Sequence, residues 1–246
     1  MRWLHAEWTK LRTLPSTWWL LAATVVLTVA VGAAAAASLT AQVCRTPEAC
    51  HEDTVKLSLT GVWLSQSTCL VLGVLSMGSE YGTGTIRTTL AAMPLRCRLL
   101  AAKATALALL TAATGAVAIT AALWTAKLIL PVRGPTLRAT TGSVLILALV
   151  AVLGLALATL LRDTAGGITL GLGLLYLTPL MAHLIHSPTW QHRLQRWTPM
   201  PAALSIQATR NLDRLPIAPW PGLGVLAAYA AGLLAAGGVL LRLRDA

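Results

Sequence analysis

The chain has 246 residues, 56% of them hydrophobic and 11% charged, with a formal net charge of +11 and a mean hydropathy of +0.71. A soluble domain carries about 25% charged residues, so the composition argues against a soluble globular enzyme, a disordered chain and a coiled coil. The positive charge does not point to nucleic acid: the basic residues fall in short segments between long apolar runs, and no nucleic-acid motif is present.

The opening segment, residues 1–16, reads as an interfacial amphipathic helix. Leu4, Trp8 and Leu11 make one apolar stripe, while Arg2, Glu7, Lys10 and Arg12 lie mostly off it. Trp suits headgroup depth and the basic side chains suit anionic lipid. Two readings stay open: a plain membrane anchor, or an anchor that also docks a cytoplasmic partner. Pro15 and Ser16 reset the chain before the first apolar run.

Six gaps free of Asp, Glu, Lys and Arg follow, each longer than the roughly 20 residues that cross a bilayer. Unpaired backbone groups are costly in lipid, so each gap predicts a helix. The spans are placed near Trp18–Ala37, Leu57–Met77, Ala104–Ala126, Gly142–Leu161, Ala165–Ile185 and Gly222–Leu241. The expected fold is an all-α, single-domain membrane protein over residues 1–246, with both termini on one side. The first run is read as a span and not as a cleaved signal peptide. The positive-inside rule is nearly silent, because the 19 Lys and Arg divide ten to nine between the sides. The segment before the first span is basic, and the loop after it carries Glu48, Glu52 and Asp53, which favours an inside N-terminus.

That loop also holds Cys44 and Cys50, flanking a five-residue stretch that contains Pro47. A disulfide in an oxidising exterior and two free thiols both remain open, and the spacing fits no standard zinc signature. In the second span, Ser65, Gln66 and Ser67 form the main polar cluster, suited to lining a translocation path or to bonding a neighbouring helix. The expected spans hold no charged residue, which argues against a proton-coupled pump.

The connection after the second span is the most informative stretch. It runs Glu80, Tyr81, Gly82, Thr83, Gly84, Thr85, Ile86, Arg87, then Leu90, Pro94, Arg96, Arg98 and Lys103. Gly82 and Gly84 promise a flexible backbone, Thr83 or Thr85 suits a helix cap, and Pro94 suits a helix end. A short helix from Thr83 to Leu90 along the membrane face is therefore expected. An ordinary solvated basic loop is the competing reading. Between the fourth and fifth spans, Asp163 or Thr164 is expected to cap the fifth, and Gly167 and Gly171 have the spacing for close helix approach. Residues 187–221 carry six prolines, three tryptophans and four arginines, which predicts two short amphipathic helices on or in the outer leaflet. They would either seal the bundle or contact an exported molecule. His183, His186 and His192 read as interfacial, with no metal site expected.

No GxxxxGK[ST] occurs, so the chain has no Walker-type ATP site of its own. Against that background the chain resembles the membrane permease subunits of ABC-2-type ATP-binding-cassette exporters, particularly those of high-GC Gram-positive bacteria. The residues carrying the resemblance are Glu7-Trp8-Thr9-Lys10-Leu11-Arg12 with Ser16-Thr17-Trp18-Trp19, the stretch Glu80, Gly84-Thr85-Ile86-Arg87, Leu90, Pro94, Arg96 and Lys103, and Arg162-Asp163-Thr164-Ala165-Gly166. The resemblance implies an interfacial helix followed by six spans in the cytoplasmic membrane, with both termini cytoplasmic. It implies a coupling helix around Thr83–Leu90 on a separate ATPase that supplies ATP and Mg, with no cofactor on this chain. It implies a second permease copy, an amphipathic cargo such as a drug, lipid or antimicrobial peptide, and a role in antibiotic resistance. Glu80 would hold the joint, and Arg87, Arg96, Arg98 and Lys103 would meet the ATPase or lipid phosphates. The alternative is a non-transporting immunity or scaffold protein that sequesters a toxic amphiphile.

Overall fold

A computed structural model describes residues 8–10, 13–42, 53–86, 88, 96–129, 135–184, 187–210 and 212–243. Among them the chain is 90% helical with no strand. The helices are α1 Pro15–Gln42, α2 Thr54–Ser58, α3 Gly61–Gly82, α4 Arg96–Ile129, α5 Thr136–Leu161, α6 Thr164–Leu172, α7 Thr178–Leu184, α8 Pro188–Trp197, α9 Pro199–Leu204 and α10 Pro219–Leu243. A π-helical turn, Gly173–Leu177, joins α6 to α7. Among the described residues, six helices are long and apolar enough to cross a membrane; the fifth runs Thr164–Met181 through the π turn.

Most expected spans lie inside these helices, but their ends differ. The second begins at Gly61, because Leu57 belongs to α2, which Asp53 caps through a bond from the Lys56 N–H. It runs on to Gly82 and so takes in Glu80; α4 likewise begins at Arg96 and takes in Lys103. An apolar run marks where charge is absent, whereas a helix continues as long as each charge inside it has a partner.

Helix α5 is the hub and packs against α3, α4, α6 and α10. It is buried over 67% of its most apolar window, against 17% for the fifth span, which lies at the periphery. The α3–α5 contact is made by bare backbone. A Cβ at Gly73 would stand 2.0 Å from the Ala151 carbonyl oxygen, and one at Gly154 would stand 2.3 Å from that of Leu70. The expected approach of Gly167 and Gly171 is also found. Their Cβ positions would meet Val74 and Leu70 of α3 at 3.0 and 2.7 Å.

Contacts between sequence-distant residues place Lys10 and the last turns of α10 at one end of the bundle. Lys10 reaches Glu80 near the end of α3, and Arg96 donates to the Leu241 carbonyl near the end of α10. Asp53 and residues 198–210 lie at the other end. There only α8 matches the expected exposed amphipathic helix, with Trp190 and Trp197 exposed. Helix α9 is instead buried through Pro199, Met200, Ala202 and Ala203 against α10. Prolines open α8, α9 and α10, at the helix positions that need no N–H donor.

The glycine contact gives a sign test. Gly154→Ala should destabilise the protein by about 1–3 kcal/mol, because the new methyl has only backbone to displace. Gly232→Ala, with open space around its Cβ position, should be neutral or stabilising by up to about 1 kcal/mol. Thermal unfolding in detergent reads both.

Candidate functional site

The Glu80 carboxylate sits in the last turn of α3 with 1% of the residue exposed. Lys103, in the second turn of α4, is 3% exposed, and its Nζ donates to Glu80 Oε1 at 2.7 Å. Lys10, from the N-terminal segment, donates to the same oxygen, and its side chain is 43% exposed. One carboxylate thus ties three chain segments through two ammonium groups, one buried and one at the surface. Glu80 Oε2 has no partner among the described residues. Removing one member of such a buried pair leaves an uncompensated charge and costs about 3–5 kcal/mol.

Two further elements close the joint. Arg162 ends α5 in the left-handed region, at φ 56°, with its N–H on the Ala158 carbonyl at 2.9 Å. Glycine is the usual residue there. Here the side chain is used: the guanidinium lies 5.8 Å from the centre of the Tyr81 ring, a cation–π distance. Asp163 caps α6 through the Gly166 N–H, as one of the two expected caps. At the end of α3, Gly84 takes φ +71° and donates its N–H to the Tyr81 carbonyl at 3.2 Å. Gly82 is helical and Gly84 is the helix stop, where any side chain would be strained.

Beyond that stop, Thr83 and Thr85 share a hydroxyl contact at 2.9 Å, and Ile86 is buried in the core. Arg87, Leu90 and Pro94 lie outside the described residues, and with them most of the expected coupling helix. So do Glu7, Arg12, Cys44, Cys50 and His186, and the side chains of His183 and His192; Trp8 and Lys10 are helical. Arg98 is exposed. Lys103 is not: it is consumed by Glu80, which corrects its expected role toward phosphates. Its pairing with a residue 23 positions away leaves no local signal.

In the middle of α3, Ser65 and Gln66 are fully buried, and Ser67 is half-buried, with its hydroxyl on the Leu64 carbonyl at 2.7 Å. The Gln66 amide lies close to the Tyr176 hydroxyl, but neither of its atoms makes a hydrogen bond of regular geometry among the described residues. Nearby, the Tyr176 hydroxyl of the π turn donates to the Trp63 carbonyl at 2.7 Å. Its ring meets that of Trp63 edge-on, with centroids 5.3 Å apart.

The opposite end is latched by Asp53. It accepts from the Thr209 hydroxyl at 2.7 Å, the Thr209 N–H, the Arg210 N–H at 3.1 Å and the Lys56 N–H at 3.1 Å. Gln207 Nε2 donates to Ser143 Oγ at 2.9 Å, which fixes the connector onto α5. Partial burial pushes the Asp53 carboxyl upward, but the four hydrogen bonds outweigh it and hold the pKa below its ordinary 3.8. No group of His, Cys, Asp and Glu among the described residues is arranged to hold a metal.

Fold and site together define a helical chain with the architecture of a multi-pass membrane protein, braced by a buried charge cluster at one end and a carboxylate latch at the other. In comparisons with known proteins, no family model matches the chain and no curated protein is significantly similar to it.

The latch predicts a pH dependence. A depressed carboxyl stabilises the fold fully above its unfolded pKa and loses that contribution as pH falls through the folded value, below about pH 4. Asp53→Asn should therefore show a shallower loss of thermal stability between about pH 5 and 3 than the parent chain. Parallel profiles would remove Asp53 as the latch.

Proposed function

We propose that the chain is the membrane permease subunit of an ATP-driven ABC-2-type exporter. It moves an amphipathic cargo across the cytoplasmic membrane by alternating access, and a separate ATPase subunit hydrolyses ATP with Mg. The single observation that carries the reading is the Lys10–Glu80–Lys103 cluster. It stands at the root of the segment from Thr83 to Leu90, where force from a docked ATPase would enter the bundle. A force applied there reaches α3 and α4 together, and through Lys10 the N-terminal segment. The lack of any Walker-type loop agrees with an outside energy source.

On this reading the Glu80 end is cytoplasmic, with both chain termini. Thr83, Gly84, Thr85, Arg87 and Leu90 contact the ATPase, Ile86 anchors that segment in the core, Arg96 and Arg98 flank the contact, and a second permease copy completes the transporter. The exposed Trp18, Trp19 and Trp124 suit lipid or that copy.

The test is purification of the tagged chain from native membranes in mild detergent, with subunit identification and an ATPase assay. An ATPase at about equal stoichiometry is expected, and replacing residues 83–90 by a Gly-Ser segment should abolish its recovery. A chain that emerges alone, yet still protects cells from an amphiphile, would favour sequestration over transport.

A further inference from the structure

At the Asp53 end, α2, α3, α7, α8, α9 and the connector before α10 surround a half-open cleft of about 350 Å³. That is within the usual size range of small-molecule sites, which are mostly apolar with a few placed polar groups. The lining has that character. Trp63, Leu204, Leu215 and Pro179 supply apolar wall, Gln195 supplies an amide, and Lys56 supplies a cation. Lys56 is exposed, and its ammonium forms no ion pair with the described residues. The acid closest to it in sequence among the described residues, Asp53, is taken up by Thr209, Arg210 and the Lys56 backbone.

The aromatic wall is set in advance. Trp63 is 46% exposed, so one side of its ring is available. The other contact is the Tyr176 ring edge, and the Tyr176 hydroxyl holds the Trp63 backbone. Tyr176 reaches this position from the π turn, and such turns commonly mark functional sites. A rigid aromatic surface loses little freedom on binding, which is where affinity is usually lost.

We infer that this cleft binds an anionic amphiphile, with the acidic head on the Lys56 ammonium and the apolar body against Trp63, Leu204 and Leu215. A carboxylate or a phosphate monoester serves equally as head, so the source is either a free amphiphile or an anionic membrane lipid. Naming the occupant as cargo rests on the exporter reading; the binding site itself does not.

The experiment uses the full chain in nanodiscs of phosphatidylcholine, without ATPase. The probe is 11-dansylaminoundecanoic acid, compared with its uncharged methyl ester, and empty nanodiscs set the partition background. The acid should bind at least about tenfold tighter than the ester. Lys56→Gln should erase that difference, Lys56→Arg should keep it, and Trp63→Ala should weaken both ligands. Circular dichroism and monodisperse elution confirm that each variant is folded. Displacement of the acid by phosphatidylglycerol at low mole fraction assigns the site to a lipid; displacement only by free amphiphiles assigns it to a soluble ligand. Equal affinity for acid and ester, or wild-type binding by Lys56→Gln and Trp63→Ala, overturns the site. Binding by the chain alone leaves the exporter reading to the ATPase purification, so either can fail without the other.

Discussion

A carboxylate closed off from water at the end of an apolar helix must be neutralised where it stands. Glu80 meets that requirement with Lys103 from the neighbouring helix and Lys10 from the N-terminal segment. The two ammonium groups are not equivalent. Lys103 is as buried as Glu80, so their bond has no water to compete with it; Lys10 is half-open to solvent, so its bond is the weaker one. The cluster therefore contains a permanent link between α3 and α4 and a looser link to the N-terminal segment. Arg162 adds the α5–α6 corner by lying over the next residue, Tyr81. Four parts of the chain meet within one helical turn of Glu80.

The rest of the bundle is held without charge. Glycines let α3 and α5 touch backbone to backbone, and that contact makes α5 the hub. Close packing of this kind is strong where lipid gives no hydrophobic drive between helices. It also makes α3 a stiff rod. Asp53 secures the chain just before this rod, and Glu80 anchors its last turn. The cleft beside Trp63 lies at the Asp53 end of that rod, and the segment from Thr83 leaves from the Glu80 end.

The six spans were legible because the bilayer imposes a length and a composition, and both are written in the gaps between charges. The Asp163 cap and the Gly167–Gly171 approach were legible because they are local. The Glu80 cluster was only partly so. Glu80 stood out as a joint, but its partners lie 70 and 23 positions away. Nothing near Lys103 distinguishes a paired lysine from one that faces a phosphate. The burial of α9 was missed for a related reason. Tryptophans and arginines on α8 coloured the whole segment as surface, while Met200, Ala202 and Ala203 were too few to register as a core face. The prolines at 188, 199 and 219 were the available signal for three separate helix starts. The Trp63–Tyr176 contact and the cleft beside it depend on a π turn, for which the sequence offers no pattern.

The claim that most depends on measurement is that Glu80 and Lys103 act as one unit. A double-mutant cycle of Glu80→Gln and Lys103→Met, read by unfolding of the full chain in detergent, tests it directly. Glu80→Gln should destabilise by about 3–5 kcal/mol, because it strands the buried Lys103 ammonium; Lys103→Met should cost less, because Glu80 keeps Lys10. The double variant should be much less destabilised than the sum, with a coupling of at least about 1 kcal/mol. Additive losses would contradict the account, since they would mean that each residue contributes to the fold without the other.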